Sequence, residues 1–329
     1  MLHIHNGDAS GNIAKGSNLP GEHLVWREAL VCGPSPSGLS PAEWRNLRAK
    51  HLAENYEMGA EDCATELLNQ EQELAKFTDH DEVLLWFEHD LFCQLHLIYL
   101  LNWLSQREHG KTKLSLVCIG EFPEMENFRG LGELTVAQMS SLFPQRHKIT
   151  AAEIDLGGKA WAAYTSADPQ SIADLLEGDT AALPFLRAAL EKHLARFPSL
   201  RNGLGLIENT ALSLIATGTS QFGALFEAFG KEEPTYGLGD AQFMLSLLRL
   251  ADAPHALLEI SAGDNAGPSL GDPVKNSFAL TAKGESVRRG NDDFVALNGI
   301  DQWLGGVHLQ GEENIWRWDE QRRQLVARS

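Results

Sequence analysis

Short apolar runs alternate with helical patterns through the first 120 residues. Residues 2–5 and 23–26 form brief runs, whereas 82–87 and 114–119 are continuous and of strand length. Parallel strands buried on both faces read this way. Between them, Ser40-Pro41-Ala42-Glu43 combines an N-cap, a proline at the first helical position and a capping-box glutamate. Cys63, Leu67, Leu74 and Phe77 recur at helical spacing, and the stretch from Asp90 to Gln106 is apolar nearly all round, as suits a central buried helix. Strands alternating with helices predict βαβ units, so residues 1–134 are expected to form a Rossmann-like, mostly parallel α/β domain.

From Thr135 the pattern turns helical. Thr135-Val136-Ala137-Gln138 and Thr150-Ala151-Ala152-Glu153 are capping boxes, and Asp168-Pro169 and Thr180 start two further helices before Pro198. Residues 135–198 thus read as a helical extension packed on the first domain. The glycines and polar residues of 198–205 mark a boundary. Beyond it, helical patterns at 206–216, 221–229 and 240–251 precede a run at 257–260, a Gly/Asp/Pro-rich stretch at 262–277 and a run at 278–281. That order predicts a winged-helix-like domain over 199–329, ending in a β-hairpin. In its tail Trp303 and Leu304 are expected to be buried, Gly305-Gly306 to turn the chain, and residues 307–309 to pair with 315–318.

Charge narrows the partners. Forty-five acids against 27 bases give a formal charge of −18. Such a surface repels phosphate backbones, so nucleic acid is disfavoured as a partner; residues 240–251 offer only Gln242 and Arg249 as polar readers. No apolar run reaches the ~18–20 residues that span a bilayer. The N-terminus lacks the pattern of a signal peptide. Four widely spaced cysteines without a C-x-x-C pair fit a reducing compartment, so the expected location is cytoplasmic.

Candidate chemistry gathers where strands give way to helices. The first strand run ends in Asn6-Gly7-Asp8-Ala9-Ser10-Gly11, where small residues and a helix start can receive an anion; Asn6, Gly7, Ser10 and Gly11 are ligand candidates, although no Walker or dinucleotide motif is present. Trp86-Phe87-Glu88-His89-Asp90 places three ionisable groups between a buried strand and a buried helix, with Gln94 one turn on. Glu88 and Asp90 are candidate ligands for Mg²⁺ or Mn²⁺, and His89, Glu88 and Asp8 are the candidate catalytic groups. Arg27 and Glu28 follow the second run and are expected at the same edge. The alternative for this triplet is structural: Asp90 caps the helix and Glu88 pairs with an arginine.

Several segments together resemble a bacterial family of unassigned activity, domain of unknown function eighteen thirty-five. They are His3-Ile4-His5-Asn6-Gly7-Asp8, Trp26-Arg27-Glu28 with Gly33-Pro34, Trp86-Phe87-Glu88-His89-Asp90 and the segment from Asn298 to Leu309. The resemblance spans nearly the whole chain and implies a bacterial cytoplasmic protein, but supplies no catalytic residues. Two expectations follow from the residues themselves. One is a site for a phosphorylated or nucleotide-like small molecule, with metal-assisted hydrolysis as its chemistry. The other is a non-catalytic regulatory or scaffold protein whose winged helix contacts a protein partner.

Overall fold

Apolar runs become strands, and the strands order themselves around the first of them. The computed structural model describes residues 1–56, 59–123, 125–262, 275–313 and 315–327. Its first part runs β1 (Leu2–Asn6), α1 (Asp8–Lys15), β2 (Glu22–Trp26), α2 (Pro41–Tyr56), α3 (Ala60–Ala75), β3 (Glu82–Glu88), α4 (Leu91–Ser105) and β4 (Lys113–Ile119). Next come α5 (Val136–Leu142), a two-residue β5 (His147–Lys148), α6 (Ala151–Tyr164), α7 (Gln170–Glu177) and α8 (Leu186–Leu194). The sheet order is β2-β1-β3-β4-β5. Its first four strands are parallel, and β5 pairs antiparallel at the edge. The chain leaves β1 toward one side for β2 and later returns to its other side for β3. That reversal makes a crevice outside the carboxyl ends of β1 and β3, where open α/β sheets bind ligands.

Both faces of the sheet are covered, which explains the unbroken apolar runs. Val83, Leu85 and Phe87 bury on the face shared with α4, while Leu84 and Trp86 bury on the opposite face with Ala14 of α1 and Met139 of α5. α4 packs on β3, α6 and α8. Both threonine capping boxes form as expected. The helix expected from Thr180 begins instead at Leu186. Pro184 has no amide to give a helix begun upstream and disfavours helical geometry at Leu183.

The remaining chain forms α9 (Leu206–Ala216), α10 (Phe222–Glu232) and α11 (Asp240–Ala251), then the antiparallel pair β6 (Leu258–Ala262) and β7 (Asn276–Leu280). The polar stretch at 263–274 lies outside the described residues. After α12 (Ala282–Arg288) and α13 (Phe294–Asn298), β8 (Ile300–Leu304) pairs with β9 (Val307–Gly311), and β10 (Trp316–Asp319) with β11 (Gln324–Ala327). One apolar cluster runs from Leu2 through Leu101, Leu190 and Phe243 to Trp318, so all three expected stretches share a core.

The C-terminal hairpin register differs from expectation. Val307 pairs back onto Leu304 rather than forward onto 315–318. Gly305 at φ +64° makes a two-residue turn with Gly306, and that tight turn closes β8 on β9. The tip docks on the N-terminal part: Ser35 N–H donates to Gly305 O at 2.8 Å, and Gly306 N–H to Tyr164 O at 2.9 Å. A Cβ on Gly306 would lie 2.0 Å from Thr165 O, so only glycine fits there. Leu304 is buried as expected. Trp303 is only half-buried and stacks on His308, with ring centroids 4.4 Å apart.

Candidate functional site

β1 and β3 end side by side, and each hands over to a helix at the crevice. After β1, Gly7 adopts φ +82°, a conformation open to glycine at little cost, and α1 starts at Asp8. Ser10 is buried and donates to Asn6 O at 3.2 Å, tying the first turn of α1 to the strand end. After β3, Asp90 caps α4 by accepting Cys93 N–H at 2.9 Å.

Between these handovers lies a cavity of about 380 Å³. Its floor is Asn6, Ala9, Ser10, Glu88, Asp90 and Cys93; Arg129, Gly130 and Glu133 form one wall, and Phe226, Phe229, Glu233 and Gly237 close it from α10 and the turn that follows. Gly237 has φ +61°, and a Cβ there would lie 2.1 Å from Asp90 Oδ1, so the closing backbone rests directly on the carboxylate. A second cavity of about 580 Å³ lies alongside, lined by His89, Phe122, Phe128 and Lys231. Both are lined by Arg129, Gly230 and Pro234, and they form one two-lobed crevice.

The floor is acidic, buried and interlocked. Glu88 Oε1 accepts Leu131 N–H at 2.6 Å, and Glu88 Oε2 accepts the Cys93 thiol at 2.7 Å. Asn6 Nδ2 donates to Cys93 Sγ at 2.8 Å. Burial, and then the neighbouring Asp90 charge, raises the Glu88 carboxyl to about 7. Burial also raises Asp90 and holds the Cys93 thiol well above its usual range. Asn6 Oδ1 and His89 Nδ1 are buried without a hydrogen-bond partner. Burial thus disfavours the ionised forms of these groups, a cost that a bound cation would offset.

Of the residues singled out in the sequence, Asn6, Ser10, Glu88 and Asp90 meet in the first lobe, and His89 lines the second. Gln94 stands behind them and donates to Glu88 O at 2.7 Å. Gly7 shapes the turn without lining the cavity. Gly11 is a packing residue, since a Cβ there would lie 2.6 Å from Val25 Cγ2 on β2. Asp8 and Arg27 pair with each other at 2.7 Å, both half exposed and outside the cavity. Glu28 sits elsewhere, its side chain 5% exposed against a fully buried Arg48 at 2.7 Å.

Cys93, Arg129 and Gly237 were not singled out. The position of Cys93 three residues after a capping Asp90 marks its backbone amide but not its thiol. Arg129 and Gly237 lie in aperiodic segments and carried no signal.

Ligand atoms of three histidines, His3, His5 and His23, also lie within 4.8 Å of one another. Trp86 Nε1, a donor only, bonds His3 Nδ1 at 3.0 Å, so the His3 proton sits on Nε2, which donates to Pro20 O at 3.1 Å. With both nitrogens engaged, His3 has no lone pair to offer a metal. Among the described residues no helix is long and apolar enough to cross a membrane. No protein-family model matches the chain, and no curated protein matches it.

Proposed function

We propose that the crevice binds a phosphorylated, nucleotide-like small molecule together with a divalent cation held by Glu88 and Asp90. The observation that carries this reading is the meeting of the α1 start with two buried carboxylates in one cavity at the sheet's reversal point. A cation there would balance the carboxylates and draw the ligand's anionic group to them, with Asn6 and Ser10 lining the same cavity. The adjoining lobe, with Phe122, Phe128 and His89, suits a planar ring. Metal-assisted hydrolysis is the chemistry this reading implies: a divalent ion held by Glu88 and Asp90 would supply an acidified water, and His89, in the adjoining lobe, would be the group to accept a proton. Bacterial origin and membership of the family that the Trp86–Asp90 segment resembles belong to the same proposal. Thermal-shift measurements with nucleotides and divalent ions test it. Wild type should gain several degrees with a cation and nucleotide together, and Glu88→Ala should gain none. Equal responses of the two proteins to every ligand would remove the site.

A second reading has its own support. α9, α10, α11 and the β6–β7 pair occur in winged-helix order, and Gln221, just before α10, bridges to Ser277 of β7. We propose that this unit is a winged helix used for contacts within the chain or with a protein partner rather than with DNA. Its two polar readers are engaged: Gln242 donates to Tyr56 Oη at 3.0 Å, and Arg249 is bound by Glu208 and Gln302.

A further inference from the structure

We infer that the crevice cation is a thiophilic transition metal of the zinc class, with Cys93 Sγ as a ligand beside Glu88 and Asp90. This rests on reading the crevice as a cation site and adds the atom that decides which cation it takes. Ligand atoms of these three residues lie within 4.8 Å of one another. Glu88 is 8% exposed and Asp90 3%, yet neither forms an ion pair with any lysine or arginine among the described residues. Arg129, the one arginine or lysine among the described residues lining this cavity, is paired with Glu133 at 2.7 Å. Buried carboxylates are ordinarily paired or bound to a metal, so the missing counter-charge points to a cation. Asn6 Oδ1, buried and unpartnered at the same floor, is a second unmet polar atom there.

The sulfur changes the choice of ion. Mg²⁺ demands octahedral oxygen ligands, whereas thiolate selects softer ions such as Zn²⁺. Each ligand side chain is already steadied by a separate donor: Asn6 Nδ2 on Cys93 Sγ, Leu131 N–H on Glu88 Oε1, and Cys93 N–H on Asp90 Oδ1. Such outer hydrogen bonds fix ligand orientation in metal sites. The place of the ion is held by the Cys93 thiol proton, donated to Glu88 Oε2 across 2.7 Å. Bond lengths of about 2.3 Å to sulfur and 2.1 Å to oxygen separate neighbouring tetrahedral ligands by about 3.5 Å. The pair therefore opens by less than about 1 Å as the ion enters and the proton leaves to solvent. Three protein ligands leave a fourth position for water or ligand, the arrangement of catalytic rather than structural zinc.

Cobalt(II) is the probe. The full chain, stripped with a chelator, should develop a near-ultraviolet sulfur-to-cobalt charge-transfer band saturating at one ion per chain. Zn²⁺ should abolish the band, and excess Mg²⁺ should leave it. Cys93→Ser should lose the band and bind Zn²⁺ at least tenfold more weakly, whereas Cys118→Ser should keep both properties. Should Cys93→Ser fail to fold, a variant with Cys32, Cys63 and Cys118 all changed to serine isolates Cys93; retention of the band supports the assignment and its loss overturns it. Calorimetric Co²⁺ binding by wild type without the band means an oxygen-only site, which sinks the thiol assignment and leaves the crevice reading standing. No Co²⁺ binding at all overturns both.

Discussion

Glu28→Ala should lower the unfolding free energy by about 3–5 kcal/mol, because it leaves a buried guanidinium without its counter-charge. Arg48 is fully buried and donates to both Glu28 oxygens, at 2.7 and 3.2 Å, and to the carbonyls of Ala29, Cys32 and Pro34. The carbonyls would remain in the variant, but none of them carries a full charge. Replacing both partners, Glu28→Leu with Arg48→Met, should recover most of the loss, since no charge is then stranded. Asp8→Ala, which removes only the exposed Asp8–Arg27 pair, should cost no more than about 1 kcal/mol. Urea denaturation of the variants reads all these values. A Glu28→Ala loss as small as that of Asp8→Ala would show that the pair does not anchor the loop after β2.

Acid should destabilise the protein well above the range in which carboxylates titrate. Burial, the largest cause, lowers His3 from 6.5 to about 4 and His5 from 6.5 to about 3. Burial also lowers His23, whose Nδ1 lies 2.9 Å from His5 Nε2. The three rings face one another, with the Trp86 indole against His3 and His5. Lys15 adds positive charge at His5 and the N-terminal amine at His3, where Glu82 partly offsets it. Between the folded values and 6.5 these histidines bind more protons in the unfolded chain, so their contribution to stability rises with pH across that window. Glu88, which keeps its proton in the folded chain up to about 7, opposes it in part. The histidine contribution is fully present above about 6.5 and is lost as pH falls toward about 4 and then 3. Each tenfold weakening of proton binding is worth about 1.4 kcal/mol, so the loss amounts to several kcal/mol. Denaturation midpoints at pH 7.5, 5 and 4 should fall steeply for wild type and less steeply for His5→Phe. Parallel curves for the two proteins would remove His5 from the account.

Much of the architecture was legible because burial on both faces leaves a plain trace. The continuously apolar run 83–87 fits a strand covered on both faces, and Leu84 and Leu85 indeed bury on opposite faces. Capping boxes at Thr135 and Thr150 work through local hydrogen bonds, so they survive any tertiary arrangement. The crevice was legible for a topological reason: groups placed directly after β1 and β3 must emerge at the carboxyl edge. Which strands are neighbours was not legible, since pairing joins segments as distant as β1 and β3. For that reason Glu28, one residue past Arg27, could be placed at the edge but not assigned to the buried Arg48 pair. Cys93 is one apolar letter in an apolar helix, and only the approach of Glu88 turns it into chemistry. The Gly305-Gly306 turn was visible, but its docking against Tyr164 and Thr165 depends on contacts between segments far apart in the chain.

Anomalous diffraction from crystals of the full chain soaked in Zn²⁺ bears most directly on the central claim. One peak per chain is expected, bounded by Glu88, Asp90 and Cys93 and open to the cavity floored by Asn6 and Ser10. A peak among His3, His5 and His23 with the carboxylate–thiol cluster empty, or no ordered peak in the crevice at all, would contradict it.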